Sequence, residues 1–172
     1  MNFCLRYHMT DFVSNLHSAV GPMKMLIRVA LVILVAVVCT QATYGQQYGT
    51  ASEARAMLER VVVGIKTDLA ATIDGINKGD PKFSDRDLYP TCAGPDGKMV
   101  ANLNPARLGI VQKESKDTSG KPYGEELARA QEGVFSEVSY LSPRPGSDKT
   151  PVPKIAFVTK VQGYICLVGY TP

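Results

Sequence analysis

The chain has 172 residues, with 19 Lys and Arg against 16 Asp and Glu, which gives a formal net charge of +3 at pH 7. This length suffices for one domain with one hydrophobic core. Because no run of five or more basic residues occurs, we do not expect nucleic-acid binding.

The N-terminal region has the pattern of a secretory signal peptide. Lys24 and Arg28 precede an apolar run over residues 29–39. The run is shorter than the roughly 20 apolar residues that span a bilayer, and small residues follow it. We expect cleavage after Ala42 or Gly45, which predicts a periplasmic or secreted protein. An uncleaved membrane anchor is the alternative.

The leader therefore comprises residues 1–45, with the signal peptide itself at 23–45, and one domain follows at 46–172. Both histidines lie in the leader, so the exported domain has none. Histidine is the commonest general base and metal ligand, and neither a Gly-x-Ser-x-Gly elbow nor a phosphate-binding glycine loop occurs. The sequence predicts a protein that is not an enzyme and needs no cofactor.

Two cysteines remain in the exported domain, Cys92 and Cys166. In an oxidising compartment such a pair indicates one disulfide, and two buried free thiols are the alternative. A bridge would close a loop of about 75 residues, worth about 4 kcal/mol in the loop-entropy description. Bridged cysteines could not act as nucleophiles.

A long amphipathic helix of about 25 residues is the first predicted element. Thr50 or Ser52 can cap its start, and Gly79 and Pro81 end it. Apolar residues recur between them at helical spacing, at Leu58, Val61, Val62, Ile65, Leu69, Ile73 and Ile76. This apolar stripe requires a flat apolar partner, which we expect to be a sheet.

Five strands are predicted after the helix. They lie at 87–93, 98–102, 134–142, 154–161 and 164–170, with a loop at 103–124 and a short helix at 125–132. Turn residues follow the first strand and the fourth, and the proline-rich segment 143–153 indicates a hairpin loop. This is an α+β pattern, in which a small ligand would lie between the sheet and the loop.

Several short motifs follow one another in a characteristic order from about residue 50 onward. They are Phe83–Tyr89, Asp96–Ala101, Asn104–Gly109, Lys116–Lys121, Val138-Ser139-Tyr140 with Pro143, Pro153-Lys154 and Val168-Gly169-Tyr170. Together they resemble the single Cache domain, an extracytoplasmic small-molecule sensor domain with a PAS-like sheet. The resemblance implies a long N-terminal helix packed on a five-stranded antiparallel sheet of order 2-1-5-4-3, and a pocket for a small carboxylate or amino acid.

The implied strand order makes the first and fifth strands neighbours. Cys92 and Cys166 lie in the middle of these strands, where adjacent Cβ atoms come within disulfide range. Domains of this kind are mostly joined to a chemoreceptor or a kinase, and no such output module follows here. The resemblance therefore implies signalling through a separate membrane receptor or kinase partner.

Four residues are candidates for ligand binding. Lys154 would pair with a carboxylate, and Arg107 would clamp one with two hydrogen bonds. Tyr89 and Tyr140 would offer apolar walls with polar tips. The alternatives are a solvated lysine, an arginine that braces its loop against Asp117, and ordinary core tyrosines.

Aspartates raise the question of a cation site. The spacing of Asp85, Asp87 and Asp96 fits no twelve-residue calcium loop, so we expect no metal.

Two other functions are alternatives to a small-molecule sensor. A ligand-free structural or interaction module predicts a pocket filled by side chains, and a small hydrolase or redox protein predicts two reactive thiols.

Overall fold

The computed structural model of the protein describes residues 48–143 and 149–172. The predicted signal peptide and its cleavage sites lie outside these residues, as does part of the predicted hairpin loop. Within the two ranges, every helix is too short or too polar to cross a bilayer.

Two consecutive helices take the place of the single long helix predicted. Helix α1 spans Ala51–Thr67 and helix α2 spans Leu69–Lys78. Thr50 is the N-cap of α1 and forms a capping box with Glu53, which satisfies the first free amides of the helix. Gly79, with φ 71°, ends α2 as predicted, because glycine adopts the left-handed conformation without a steric cost.

The break between the helices lies at Asp68. This residue has φ −151° and ψ 94°, and its carboxylate accepts a hydrogen bond from the amide of Ala71, so it caps the second helix. The hydroxyl of Thr72 packs so close to Gly64 that a Cβ there would be 2.5 Å from it. Apolar spacing continues across the break, which explains why periodicity alone predicts one helix.

The five strands form one antiparallel sheet in the predicted order. They are β1 Pro90–Ala93, β2 Met99–Asn102, β3 Ser136–Pro143, β4 Pro151–Val161 and β5 Tyr164–Tyr170, in the order β2-β1-β5-β4-β3. The fold class and the strand order predicted from the sequence are therefore confirmed.

Some predicted boundaries are wrong. Strand β1 starts three residues later than predicted, because Asp85 and Leu88 exchange backbone hydrogen bonds and close a tight turn. The short helix, α3, spans Tyr123–Leu127 and therefore starts and ends earlier than predicted. Strand β4 includes Pro151, although its sequence favours a loop.

Prolines are tolerated in β4 because its first residues lie beyond the end of β5. Pro153 is opposite Leu141 on β3. The amide of Leu141 donates to Asp117 and its carbonyl accepts from Thr118, so both groups point away from β4. Pro153 therefore lies at a position where the sheet requires no amide donor.

The two faces of the sheet pack against different parts of the chain. Helices α1 and α2 cover one face through a core that includes Leu58, Val61, Phe157 and Val168. The other face carries a smaller cluster around Leu127, packed on the side of α3. Since strand side chains alternate between faces, Lys154 and Tyr140 belong to this second face.

The predicted disulfide is present. Cys92 and Cys166 are directly opposite each other on β1 and β5, with Cα atoms 4.1 Å apart and sulfurs bonded. Both are fully buried in the core on the helix face. The bridge therefore joins two adjacent inner strands on the face opposite the candidate site.

Candidate functional site

A cavity of about 560 Å³ lies between the second face of the sheet and the segment that connects β2 to α3. The four predicted ligand-binding residues, Tyr89, Arg107, Tyr140 and Lys154, all line it. Other lining residues come from the same strands and from the covering segment, among them Asp87, Thr91, Asn102, Gln112, Ser115, Asp117, Tyr123 and Gly169.

Lys154 lies at the floor of the cavity and is already paired. Its side chain is 8% exposed, and Nζ donates to Oδ2 of Asp87 at 3.0 Å. An ammonium group has three N–H donors, so this contact leaves further donors for another acceptor. The solvated lysine considered as an alternative does not describe this residue.

Asp87 joins the floor of the cavity to both ends of the domain. Besides Lys154, its carboxylate accepts from the amide of Gly49 at 2.7 Å and from the hydroxyl of Thr171 at 3.2 Å. The three donors come from three separate segments and satisfy the buried carboxylate. The sequence singles out Asp87 only as a poor calcium candidate, because nothing in its local pattern shows such distant partners.

Two tyrosines form one wall of the cavity. The rings of Tyr123 and Tyr140 stack with centroids 4.4 Å apart and an interplanar angle of 11°. The hydroxyl of Tyr140 lies against Gly169 on β5, where a Cβ would be only 2.8 Å from it. Burial raises the pKa of Tyr140 above its ordinary value, and so it stays neutral at physiological pH.

Arg107 lies in a 3-10 turn, Pro105–Arg107, whose start is capped by the side chain of Asn104. Its positive charge favours ionisation of both Tyr89 and Tyr140, against the burial that raises the pKa of each. Among the described residues, no carboxylate pairs with its guanidinium. The charge is therefore available to a ligand in the cavity.

Asp117 organises its own loop and, among the described residues, forms no ion pair with Arg107. Its carboxylate accepts from the hydroxyl and amide of Ser119 and from the amides of Lys121 and Leu141. These hydrogen bonds, led by the Ser119 hydroxyl, lower the pKa of Asp117 to about 2. Both oxygens are engaged, so Asp117 fixes the loop to the edge of β3.

The charged side chains around the cavity are partly neutralised. Among the described lining residues, Arg86, Arg107, Lys116, Lys149 and Lys154 are cationic and Asp87 and Asp117 are acidic. Arg86 already pairs with Glu53 and Asp85, and Lys154 pairs with Asp87. Arg107 brings a positive charge that no carboxylate of the described residues neutralises.

Two lining residues escaped the sequence analysis. Nε2 of Gln112 and Oγ of Ser115 are buried, and neither has a hydrogen-bond partner among the described residues. They lie in and just after a second 3-10 turn, Gln112–Glu114. A polar loop residue gives no sign in the sequence that it will be buried, so no pattern could have identified them.

The described residues contain no group of three side chains able to hold a metal ion. The aspartates considered for calcium have other roles. Asp85 forms an ion pair with Arg86, and Asp96 accepts a hydrogen bond from the amide of Lys98 in the turn between β1 and β2.

Comparison with known proteins shows the fold. No protein-family model and no curated protein matches the sequence. The solved structure of a methyl-accepting chemotaxis protein from Vibrio parahaemolyticus RIMD 2210633 is similar at 18% identity and a TM-score of 0.51, covering 86% of this chain and 96% of that one.

Two further solved structures are similar, each with a TM-score of 0.49 over 88% of this chain and 99% of the other. One is described as the periplasmic sensor domain of a chemotaxis protein, at 22% identity. The other, at 19% identity, is described as the structural basis for carboxylic acid recognition by a Cache chemosensory domain. The resemblance predicted from the sequence is confirmed for the fold, a helical layer on a five-stranded antiparallel sheet of order 2-1-5-4-3 that the chemotaxis protein shares.

Proposed function

We propose that this protein is a periplasmic or secreted sensor domain that binds a small carboxylate. The observation that carries the proposal is the cavity, in which Arg107, without a carboxylate partner among the described residues, lines the same space as a stacked pair of tyrosines. A concave site with apolar walls and a few convergent polar groups is typical of small-molecule binding. The positive charge of Arg107 favours an anion.

Arg107 is the proposed anchor for the carboxylate. A guanidinium group presents parallel N–H donors that match the two oxygens of a carboxylate. Lys154 supplies a second positive charge from the floor, held in place by Asp87. Tyr89 and Tyr140 provide the flanking surfaces, and both line the cavity with Arg107.

An amino acid fits the site less well than a plain carboxylate. An α-ammonium group donates three hydrogen bonds and is bound most strongly by a carboxylate that has no other cationic partner. The acidic side chains among the described lining residues, Asp87 and Asp117, are both occupied by donors of the protein. A carboxylate without an amine therefore matches the unoccupied groups.

The alternatives are weaker. A ligand-free interaction module predicts a space filled by side chains, and the open cavity of about 560 Å³ weighs against it. A redox protein predicts two reactive thiols, whereas Cys92 and Cys166 are bonded to each other. We propose that the protein is not an enzyme and that it passes its signal to a membrane receptor or kinase.

A thermal-shift screen tests the binding function. The protein, exported to the periplasm of an expression host and purified, is heated with short carboxylates and amino acids. A ligand that binds only the folded state stabilises it by about 2.7 kcal/mol at a hundredfold excess over its dissociation constant. Mass spectrometry of the same sample tests cleavage after Ala42 or Gly45, which would leave one of two defined N-termini.

Arg107→Ala is the decisive variant, because it removes a half-exposed side chain without leaving a buried charge unpaired. We expect it to abolish the shift given by the carboxylate. Arg129→Ala is the matched control, since Arg129 is an exposed arginine that does not line this cavity. A screen in which no acid stabilises the wild-type protein would refute the proposal.

Transfer of the signal is tested separately. If the protein acts through a membrane partner, crosslinking in the periplasm should yield a receptor or kinase adduct whose amount changes with the carboxylate. An adduct that is unaffected by ligand, or the absence of any adduct, would contradict this part of the proposal.

A further inference from the structure

The sheet has two edges, and the edge at strand β2 is covered by other parts of the domain. Residues 109–112 of the covering segment form backbone hydrogen bonds with residues 97–99. Farther along the strand, the side chain of Asn77 donates to the carbonyl of Val100 and accepts from the amide of Asn102. An uncovered edge is a template for pairing with another strand, and here the chain itself occupies that template.

The other edge, strand β3, is covered in its second half only. The amide of Leu141 donates to the carboxylate of Asp117, and the carbonyl of Leu141 accepts from the amide of Thr118. Two residues earlier, the carbonyl of Ser139 accepts from Nζ of Lys121. The loop before α3 therefore occupies the outward-facing groups of β3 as far as the carbonyl of Ser139.

The first half of this edge is uncovered. Outward-facing backbone groups recur at every second residue of an edge strand, so those of Glu137 point the same way as those of Ser139 and Leu141. Among the described residues, the amide and carbonyl of Glu137 and the amide of Ser139 have no hydrogen-bond partner on this side. Two donors and one acceptor therefore face outward in a row.

A groove of about 410 Å³ lies beside these uncovered groups. It is lined by Glu126 of α3, by Arg129 and Val134 in the segment that follows, and by residues 136–138 of β3. Val134 is 50% exposed, so it offers the groove an apolar surface that the domain leaves in contact with water. None of these residues lines the larger cavity, and the groove is therefore a second, separate site.

We infer that the uncovered stretch of β3 binds an extended segment of a partner protein, which adds to the sheet as a sixth strand. The inference goes beyond the proposed function, because this surface needs no carboxylate in the cavity. An added strand in either direction can pair with the carbonyl of Glu137 and the amide of Ser139. Its side chains on the α3 side enter the groove beside Val134, where apolar residues fit best.

Glu137 sets the charge of the added strand. Its side chain is exposed and has no ion-pair partner among the described residues. A lysine or arginine directly opposite Glu137 forms a favourable cross-strand pair. A second copy of this chain fits less well, because antiparallel pairing centred on Glu137 would place two carboxylates opposite each other. The partner segment therefore alternates apolar and basic residues.

The probe is the capped peptide Thr-Val-Lys-Val-Thr, compared with Thr-Val-Glu-Val-Thr, each titrated at millimolar concentration into the full exported protein. Nuclear magnetic resonance should show shifts of the amide signals of Glu137 and Ser139, with the lysine peptide binding about threefold or more tightly. Glu137→Lys should reverse this preference. Glu114→Lys is the matched control, since Glu114 is exposed and does not line the groove, and it should keep the preference.

Ser139→Pro removes the outward amide donor at a position of an edge strand where proline is tolerated, and it should abolish peptide binding. Ser139→Ala keeps the donor and should bind as the wild type does, and the same spectra show whether each variant is folded. Undiminished binding in folded Ser139→Pro, shifts confined to other residues, or no binding of either peptide would overturn the inference.

The oligomeric state tests the other occupant of this edge. Sedimentation of the wild-type protein should show no dimer that depends on β3. A dimer that is lost in Ser139→Pro and retained in Ser139→Ala would assign the edge to a second copy and overturn the choice of a partner protein. These results are independent of carboxylate binding in the cavity, which the thermal-shift screen tests, so failure of one proposal leaves the other unaffected.

Discussion

Lys154 and Asp87 are 67 positions apart in the chain, yet their side chains form an ion pair with 3.0 Å between Nζ and Oδ2. The two side chains are 8% and 3% exposed. Removing both charges from water is costly, and each is tolerated because the other is present. The positive charge at the floor of the cavity therefore depends on an aspartate that lies before β1 in the chain.

Asp87→Asn should destabilise the protein by about 3–5 kcal/mol, because it leaves the Lys154 ammonium buried without its counter-ion. Urea denaturation measures the loss. Lys154→Met should also destabilise, and the double variant should lose clearly less than the sum of the two single losses. Strictly additive losses would contradict the interdependence of the pair.

The disulfide should contribute about 4 kcal/mol, because Cys92 and Cys166 are 74 positions apart and their bond restricts a long loop in the unfolded chain. Urea denaturation of the wild type and of the Cys92→Ala, Cys166→Ala double variant measures the difference. Because the bridge faces the helices, away from the cavity, the double variant should still bind the carboxylate at a temperature low enough for it to remain folded. Loss of binding in a folded variant would contradict this separation.

Burial of Tyr140 predicts a loss of stability in alkali. Its pKa is raised in the folded protein and lies near 10 in the unfolded chain. The neutral phenol is thus fully stabilising below about pH 10, and above that value stability falls by up to about 1.4 kcal/mol per pH unit. Urea denaturation at rising pH measures the slope, and Tyr140→Phe should make it shallower. An unchanged slope in that variant would assign the effect to another group.

Asp117 should titrate at unusually low pH, because its pKa is lowered to about 2 from an ordinary 3.8. Its carboxylate stabilises the loop above the ordinary pKa, and this contribution is lost as the pH falls toward 2. The amide of Leu141, which donates to Asp117, reports the change by nuclear magnetic resonance. We expect a midpoint near 2 in the wild type and no titration in Asp117→Asn; a midpoint near 4 would contradict the hydrogen-bond network.

The fold could be predicted in its main features because they depend on local patterns and on strand pairing. Turn residues and alternating strands locate the hairpins, and Cys92 and Cys166 agree with the implied neighbourhood of β1 and β5. The break at Asp68 could not be predicted, since the apolar stripe continues across it. A single good N-cap ends one helix and begins another without changing the periodicity.

The site could be predicted only in part. Charged and aromatic residues on strands or in the loop over the sheet are conspicuous, and Arg107, Lys154, Tyr89 and Tyr140 all line the cavity. Gln112 and Ser115 escaped because their burial depends on how α3 packs onto the loop. Asp87 escaped because its three donors are far from it in the sequence.

The carboxylate of Asp87 accepts from Gly49, before α1, and from Thr171, after β5. The two ends of the domain therefore lie side by side, and a short glycine-rich linker would join residue 171 to residue 49. A circularly permuted chain opened at the exposed turn around Asp96 should fold to the same circular dichroism spectrum as the natural order. The domain is thereby suited to insertion within a host protein, because both of its connections leave from one place.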